Sequence, residues 1–521
     1  MTYEWLLVAG VLLGSLSPLL TFARLFQMKE WRLDRLGEHL RREGWFGNLM
    51  GRARGALALL YVALGAAAYA LAFAGGDGTG AEAVIAVFLF SAFWCLVTFS
   101  VLTVAQIVLR KQRMPAWTSK ALALVATALV VDAALAYASL YTPWMFALPL
   151  LVVLQPAALL AAWLLWKPVD FVLKGRVLGK GCARRDSLVD ATVIGIVGSV
   201  GKTTTKELLK CVLADRSPFV TPEHVNTEMG VAQWLVNAVP ANAVKPLLIV
   251  EMGAYRKGEI ALLGRIAQPT IAVVTALGSD HVALFGSEEA IVDANAEIFD
   301  ALPEGANVFL YGDNERTTAL ANRTHRPTFT VGAKDLQDLR ETDRGLAFDC
   351  FGTRFNVALH GRHNAANVAL ALLVANSLGI TPERMRELLA AFRPTQHTFH
   401  LKKERGVTIL DDTYNVSPLS FRAALDWAKA RPERPRVLLT SGLLETGAAE
   451  NDFLRELGAA ANASVERVVF TTDAGKEVFA KAFGKPVDSL ADAKPVTDDA
   501  LLLCVGRMPL SHIQKLLPAD R

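Results

Sequence analysis

Five long apolar stretches in the first third of the chain, residues 5–22, 56–74, 83–109, 121–141 and 145–166, set the terms for everything else. Each is close to the ~20 residues that a helix needs to cross a bilayer. In hydrocarbon every backbone N–H and C=O must be bonded within the segment, so helices are the form such stretches take. The first could be a cleavable leader, but it lacks a basic start and a small-residue cleavage site and reads as a span. At 521 residues, 52% hydrophobic and mean hydropathy +0.32, the chain is too long for one ordinary domain and too apolar to be wholly soluble.

The charges between the stretches orient them. Residues 24–54 carry Arg24, Lys29, Arg32, Arg35, Arg41, Arg42, Arg52 and Arg54, and residues 110–120 carry Arg110, Lys111, Arg113 and Lys120. Connections 75–82 and 142–143 have no Lys or Arg. Basic connections stay on the cytoplasmic side. The expectation is a multi-pass protein of the inner (cytoplasmic) membrane, N-terminus outside, with Lys167 and everything after it in the cytoplasm. Asp132 lies in the fourth stretch, where a carboxylate is either a helix-packing hydrogen bond or a functional group. Trp144, Trp163 and Trp166 suit interfacial anchors. The five cysteines show no metal-ligand spacing, and a net charge of +4 indicates no nucleic-acid partner.

After residue 190 the pattern changes to alternating strands and helices, as a mostly parallel α/β sheet requires. Strand-like runs fall at 192–197, 246–250, 270–275 and 307–311, then at 407–410, 436–440, 468–471 and 501–505 in a second, smaller α/β unit. The first run leads into Gly198-Ser199-Val200-Gly201-Lys202-Thr203-Thr204. Such a strand–loop–helix turn aims backbone N–H groups and a helix N-terminus at an anion, with Lys202 adding charge and Thr203 able to hold Mg²⁺. The plain alternative is a glycine-punctuated turn. Glu251 and the turn at 278–281 follow the next two runs, at the strand ends where ligands bind in such sheets.

GSVGKTTTKE, TPEHVNTEMG, VEMGAYRKGEIALLGRIAQP, TALGSDHVALFGSEEAI, GRHNAANVALA and DDTYNVSP occur in this order over residues 190–418. Together they resemble the ATP-dependent Mur ligases, most closely the MurF type, which joins D-alanyl-D-alanine to a UDP-MurNAc-peptide. With the apolar stretches read as a membrane region at 1–180, the resemblance implies a central ATPase domain at 185–393 and a smaller C-terminal domain at 394–521. It implies ATP and Mg²⁺ as cofactors and an acyl-phosphate attacked by an amine. By position, Gly198 to Thr204 would hold the phosphates, with Lys202 on the β- and γ-phosphates. Thr203, Glu251 and His281 would serve metal, Asn367 the adenine, and Asp412, Tyr414 and Asn415 the nucleotide between domains. Lys202, His281 and Arg507 would be the catalytic set.

Departures from the family pattern matter equally. The apolar stretches stand where the family has its UDP-sugar domain. The position of the carbamoylated lysine that bridges Mg²⁺ falls at Asn295. No arginine occurs in residues 394–400, although His397 could partly substitute, and 504–507 reads Cys-Val-Gly-Arg in place of a KGSR-like motif. The leading expectation is a membrane-anchored amide ligase acting on an envelope precursor, with lipid-linked precursors and envelope-synthesis proteins as possible partners. The alternative is a diverged, catalytically weak nucleotide-binding regulator. Transport is disfavoured because the stretches offer little polar pathway beyond Asp132.

Overall fold

The computed structural model describes residues 2–44, 51–74, 80–414, 416–443 and 446–519. The chain divides into two compact units, Met1–Leu173 and Lys174–Arg521.

The first unit is helical. Among the described residues five helices are long and apolar enough to cross a membrane: Trp5–Met28, Arg52–Ala70, Val84–Val108, Ser119–Ser139 and Gln155–Asp186. Four coincide with expected stretches. The fifth is a correction: residues 145–166 are not one helix. A short helix, Leu148–Val153, stops at Leu154, and Gln155–Asp186 starts afresh and runs 20 residues past Trp166. The reason is Pro156, which has no N–H to offer the Val152 carbonyl. Gln155 repairs part of the step, its side-chain amide donating to the Leu151 carbonyl at 2.8 Å. The same amide lies 2.8 Å from Asp132 Oδ2 and 3.0 Å from Ser15 Oγ. All three residues are buried, so Asp132 is tied into helix packing.

The second unit holds the sheets. Six parallel strands, β1 (Thr192–Val197), β2 (Phe219–Val220), β3 (Leu247–Glu251), β4 (Ile271–Val274), β5 (Asn307–Tyr311) and β6 (Thr328–Val331), run in the order β2-β3-β1-β4-β5-β6. Alternation of side chains along β1 sends Ile194 and Ile196 into one apolar layer and Val193 and Val197 into the other. The last turns of Gln155–Asp186 belong to this unit. Val177, Leu178 and Cys182 pack on its core, and a side chain at Gly181 would stand 2.7 Å from Ala232 Cβ. Arg185 donates to the Ala267 and Gln268 carbonyls at 2.9 and 3.2 Å.

A three-stranded antiparallel sheet follows, β7 (Gln337–Thr342), β8 (Gly345–Cys350) and β9 (Thr353–Val357). The last sheet takes β10 (His400–Glu404), β11 (Val407–Asp412), β12 (Arg436–Thr440), β13 (Arg467–Phe470), β14 (Val487–Ser489) and β15 (Leu501–Val505), in the order β10-β11-β15-β12-β13-β14. It is parallel except for β10 against β11.

Candidate nucleotide and acyl-transfer site

Strand order builds the site. β1 lies between β3 and β4, and Ile196 pairs with Glu251, so the loop after β1, the end of β3 and the turn after β4 meet at one edge. That carboxyl edge is where parallel sheets receive ligands.

Gly198 and Gly201 have φ of +135° and +93°, which glycine alone adopts without strain. A side chain at Gly198 would meet Thr275 Oγ1 at 2.1 Å, and one at Gly201 would meet Asn367 Oδ1 at 2.6 Å. The Ser199 and Val200 N–H groups donate to the Ala276 carbonyl, both at 3.0 Å, which clamps the loop to the chain after β4. The amides of Lys202 to Thr204, in the first turn of the helix Lys202–Val212, are the ones a helix start leaves for a phosphate. Lys202 Nζ donates to the carbonyls of Gly198 and Ser199. Burial lowers its pKa, while the carboxylates of Glu251 and Asp280 raise it. A triphosphate would supply the anion that this ammonium lacks.

Glu251, 4% exposed, is the hub beneath the loop. Thr203 Oγ1 donates to its two oxygens at 3.1 and 3.2 Å, and Asn226 Nδ2 donates to Oε1 at 3.1 Å. Fully buried Lys206 pairs with Oε2 at 3.1 Å. Sequence reasoning missed Lys206 and Asn226, although both sit inside motifs it quoted. Among the described residues no three His, Cys, Asp or Glu side chains converge on a metal-sized site. Thr203 and Glu251 nonetheless suit Mg²⁺, which takes few protein oxygens and completes its shell with phosphate and water.

Asp280, beside His281, was also missed. It is buried, its Oδ1 has no partner, and burial raises its pKa against the pull of His281, Lys202 and the Ser417 hydroxyl. His281 sits at φ +60°, with its ring edge-on to Tyr255 at 4.7 Å. Asn367 is buried in the helix His363–Ser377. Its Nδ2 donates to Asn364 Oδ1 at 3.1 Å, while its own Oδ1 is unpartnered beside Gly201.

The C-terminal sheet contributes its own carboxyl edge. Asp412 ends β11 and accepts the Phe399 N–H at 3.1 Å, with Oδ2 unpartnered. Burial, helped by Asp411, raises its pKa to about 7 although the Phe399 N–H opposes the shift. The Tyr414 ring stacks on His224 at 4.9 Å, and its hydroxyl is 2.6 Å from His224 Nδ1, a contact that joins the two sheets' loops. Burial, Glu251 and Tyr255 raise the Tyr414 hydroxyl pKa and Arg507 lowers it. Arg507 is exposed just after β15, and Asn415 lies outside the described residues.

The departures have structural counterparts. Asn295 turns its amide back to the Ile291 carbonyl of its own helix, at 2.8 Å. Cys504 is buried in the core, and Gly506, at φ +114°, leaves only 2.6 Å between a would-be Cβ and Ser441 Oγ. Neither place can present a lysine or serine without repacking. His397 Nδ1 faces Asp411 Oδ2 at 3.0 Å.

Residues 196–375 match the Mur ligase middle domain, and residues 397–504 match the Mur ligase glutamate ligase domain. The chain belongs to the Mur ligase family. This Mur ligase is 33% identical over 287 residues to the UDP-N-acetylmuramoyl-tripeptide–D-alanyl-D-alanine ligase of Bacillus subtilis, covering 54% of this chain and 62% of that one. To the Escherichia coli ligase of the same name it is 28% identical, covering 54% and 64%. It thus spans about six-tenths of these relatives' length. Its fold is shared with MurF from Acinetobacter baumannii (TM-score 0.59, 21% identity, covering 65% of this chain and 78% of that one). The Thermotoga maritima MurF in complex with ADP gives a TM-score of 0.56 at 26% identity, covering 66% and 82%.

Proposed function

We propose that the chain is a membrane-anchored, ATP-dependent amide ligase that works through an acyl-phosphate on a peptidoglycan-type precursor. The observation that carries this reading is the knot of Lys202, Thr203, Glu251 and Lys206 at one sheet edge, with Tyr414 of the C-terminal sheet bonded to His224 from the loop after β2. Unpartnered acceptors on Asn367 and Asp412 suit the N–H and O–H donors of a nucleoside. The B. subtilis relative's name supplies the substrate class.

In this reading the first-turn amides and Lys202 hold the triphosphate while the acceptor carboxylate attacks its γ-phosphorus and ADP leaves. The amine nitrogen then attacks the acyl carbon, phosphate leaves, and a proton is lost from nitrogen. Arg507, exposed just after β15, steadies the anionic acceptor, and His281 stands beside buried Asp280. Thr203 and Glu251 would hold Mg²⁺, which supplies charge neutralisation at the transferring phosphoryl group. Much of the rate comes from positioning.

Membrane anchoring rests on the five long apolar helices. In this reading the Lys- and Arg-bearing connections set the N-terminus outside and both ligase domains in the cytoplasm, where ATP is. The acceptor is then a membrane-borne, lipid-linked precursor.

The test is phosphate release by the full chain in mild detergent with Mg-ATP, with and without an extract of envelope precursors and amino acids. Precursor-dependent release that Lys202→Ala abolishes is expected. Binding of ATP with no stimulated release over the whole extract overturns it. That outcome supports the second reading, a nucleotide-gated regulator, which the inward-turned Asn295 favours.

A further inference from the structure

Arg54 is buried in the helical unit at 7% exposure, and its neighbours do not account for its charge. Nη2 donates to Thr103 Oγ1 at 3.2 Å and to Gln106 Oε1 at 3.3 Å, both neutral groups. Nε has no partner, and among the described residues no carboxylate pairs with the guanidinium. A buried cation among apolar helices is costly without a counter-ion. A guanidinium only donates, and it bonds two oxygens of one carboxylate or phosphate at once.

An apolar groove of about 870 Å³ begins one turn away. It runs between the helices Arg52–Ala74 and Gly80–Val108 and is lined by Leu57, Leu60, Tyr61, Leu64, Phe90 and Trp94, among others. Leu57 is three residues from Arg54, Tyr61 seven and Leu64 ten, so the cation and this wall share a helix face. From Leu57 to Leu64 the wall rises about 10 Å, and from Ala86 to Thr98 about 18 Å, the reach of a partly extended hydrocarbon tail. Leu60, Leu64, Phe90 and Trp94 are 49–68% exposed along it.

We propose that this groove is a binding site for a phosphate-bearing lipid, its tail along Leu57 to Leu64 and its phosphate on Arg54. A neutral lipid would satisfy the groove and leave the guanidinium unpaired. A free anion would satisfy the guanidinium and leave the groove unused. Only a tail carrying an anionic head answers both. Arg54 ends the basic segment read as cytoplasmic, so the phosphate lies on the face of the membrane where the ligase domains are expected. The proposal rests on the membrane reading of the bundle, which carbonate extraction of cell membranes tests separately: a chain released by carbonate removes that reading, whatever the groove holds.

The experiment uses the full chain in mild detergent and a photoreactive long-chain lipid monophosphate, with the corresponding alcohol as control. The phosphate lipid should crosslink to peptides from 52–74 and 80–108, and the alcohol at least tenfold less. Arg54→Gln should lower phosphate-lipid labelling at least tenfold, to the level of the alcohol. Leu60→Trp, which fills the groove and keeps the cation, should lower it similarly, while Arg113→Gln on an exposed basic turn leaves it unchanged. Equal labelling by phosphate and alcohol, or labelling abolished by excess inorganic phosphate, overturns the proposal. If Arg54→Gln aggregates on size exclusion, Leu60→Trp decides: undiminished labelling overturns it.

Discussion

Gly201 shows how one backbone angle and one contact can make a position intolerant of any side chain. Its φ of +93° would cost a side-chain-bearing residue ~1–3 kcal/mol. Its missing Cβ leaves room for Asn367 Oδ1 2.6 Å from where that atom would be. Gly201→Ala is therefore expected to weaken ATP binding at least tenfold by calorimetry. Gly201→Ala with Asn367→Ala should recover only part of it, because the clash goes and the angle remains. Full recovery would show that the angle does not matter. Asp412 makes a second case at this scale. Its pKa rises from the ordinary 3.8 to about 7 on folding, chiefly through burial, so the fold favours the protonated acid. Stability is unaffected below the unfolded value, falls as pH climbs from about 4 to 7, and carries the full penalty above that, on the order of a few kcal/mol. Asp412→Asn keeps an oxygen for the Phe399 N–H and removes the titration. The nucleotide-free variant should melt higher than the parent at pH 8, with the gap closing toward pH 5. A gap that does not change with pH would mean the acid stays ionised in the fold.

Elements explain why the acids and cations of the site stay ordered. Glu251 ends a fully buried strand and has three side-chain partners within 3.2 Å, one of them fully buried Lys206. Breaking a buried pair strands the other charge, at about 3–5 kcal/mol. Glu251→Ala should lower the melting temperature of the ligase domains as well as remove Mg²⁺-dependent nucleotide binding. Lys206→Met added to it should restore part of the stability and none of the binding. If Glu251→Ala alone leaves the melt unchanged, the pair is not structural. The same elements divide what the sequence disclosed from what it hid. β1, β5, β12 and β15 were legible to the residue because strands buried on both faces read as unbroken apolar runs. β2 is two residues long, β10 carries His400, Lys402 and Lys403, and β7 carries Gln337, Asp338 and Arg340, so none offers such a run. Lys202 and Thr203 were visible inside the phosphate-loop motif, and Glu251 at the end of an apolar run that opens a second motif. Lys206, Asn226 and His224 meet Glu251 and Tyr414 across distances in sequence that no local spacing reveals, although Lys206 and Asn226 lie inside quoted motifs. The break at Leu154 escaped because hydropathy averages across Pro156, whose effect is on one backbone hydrogen bond.

On the scale of the whole molecule, the helix Gln155–Asp186 begins in the helical unit and ends in the ligase core. Val177, Leu178, Cys182 and Arg185 make it part of that core, so the ligase begins near Lys174 and not at β1. A piece beginning at Lys174 should stay soluble and bind ATP within about threefold of the full chain. A piece beginning at Leu188 should melt several degrees lower. On the proposed function, what the first piece loses is the tether. Holding an enzyme and a lipid-borne acceptor on one surface is equivalent to a local concentration in the millimolar range, worth 10²–10⁴ in apparent affinity. Against precursor in dilute vesicles, the piece from Lys174 should therefore turn over at least 100-fold more slowly than the full chain reconstituted in the same vesicles. Its kcat should return at high acceptor concentration, because the phosphate loop, Glu251 and Arg507 all remain. Equal rates at every acceptor concentration would mean that the helices take no part in delivering the substrate. A kcat that stays low at saturation would mean that they shape the site itself.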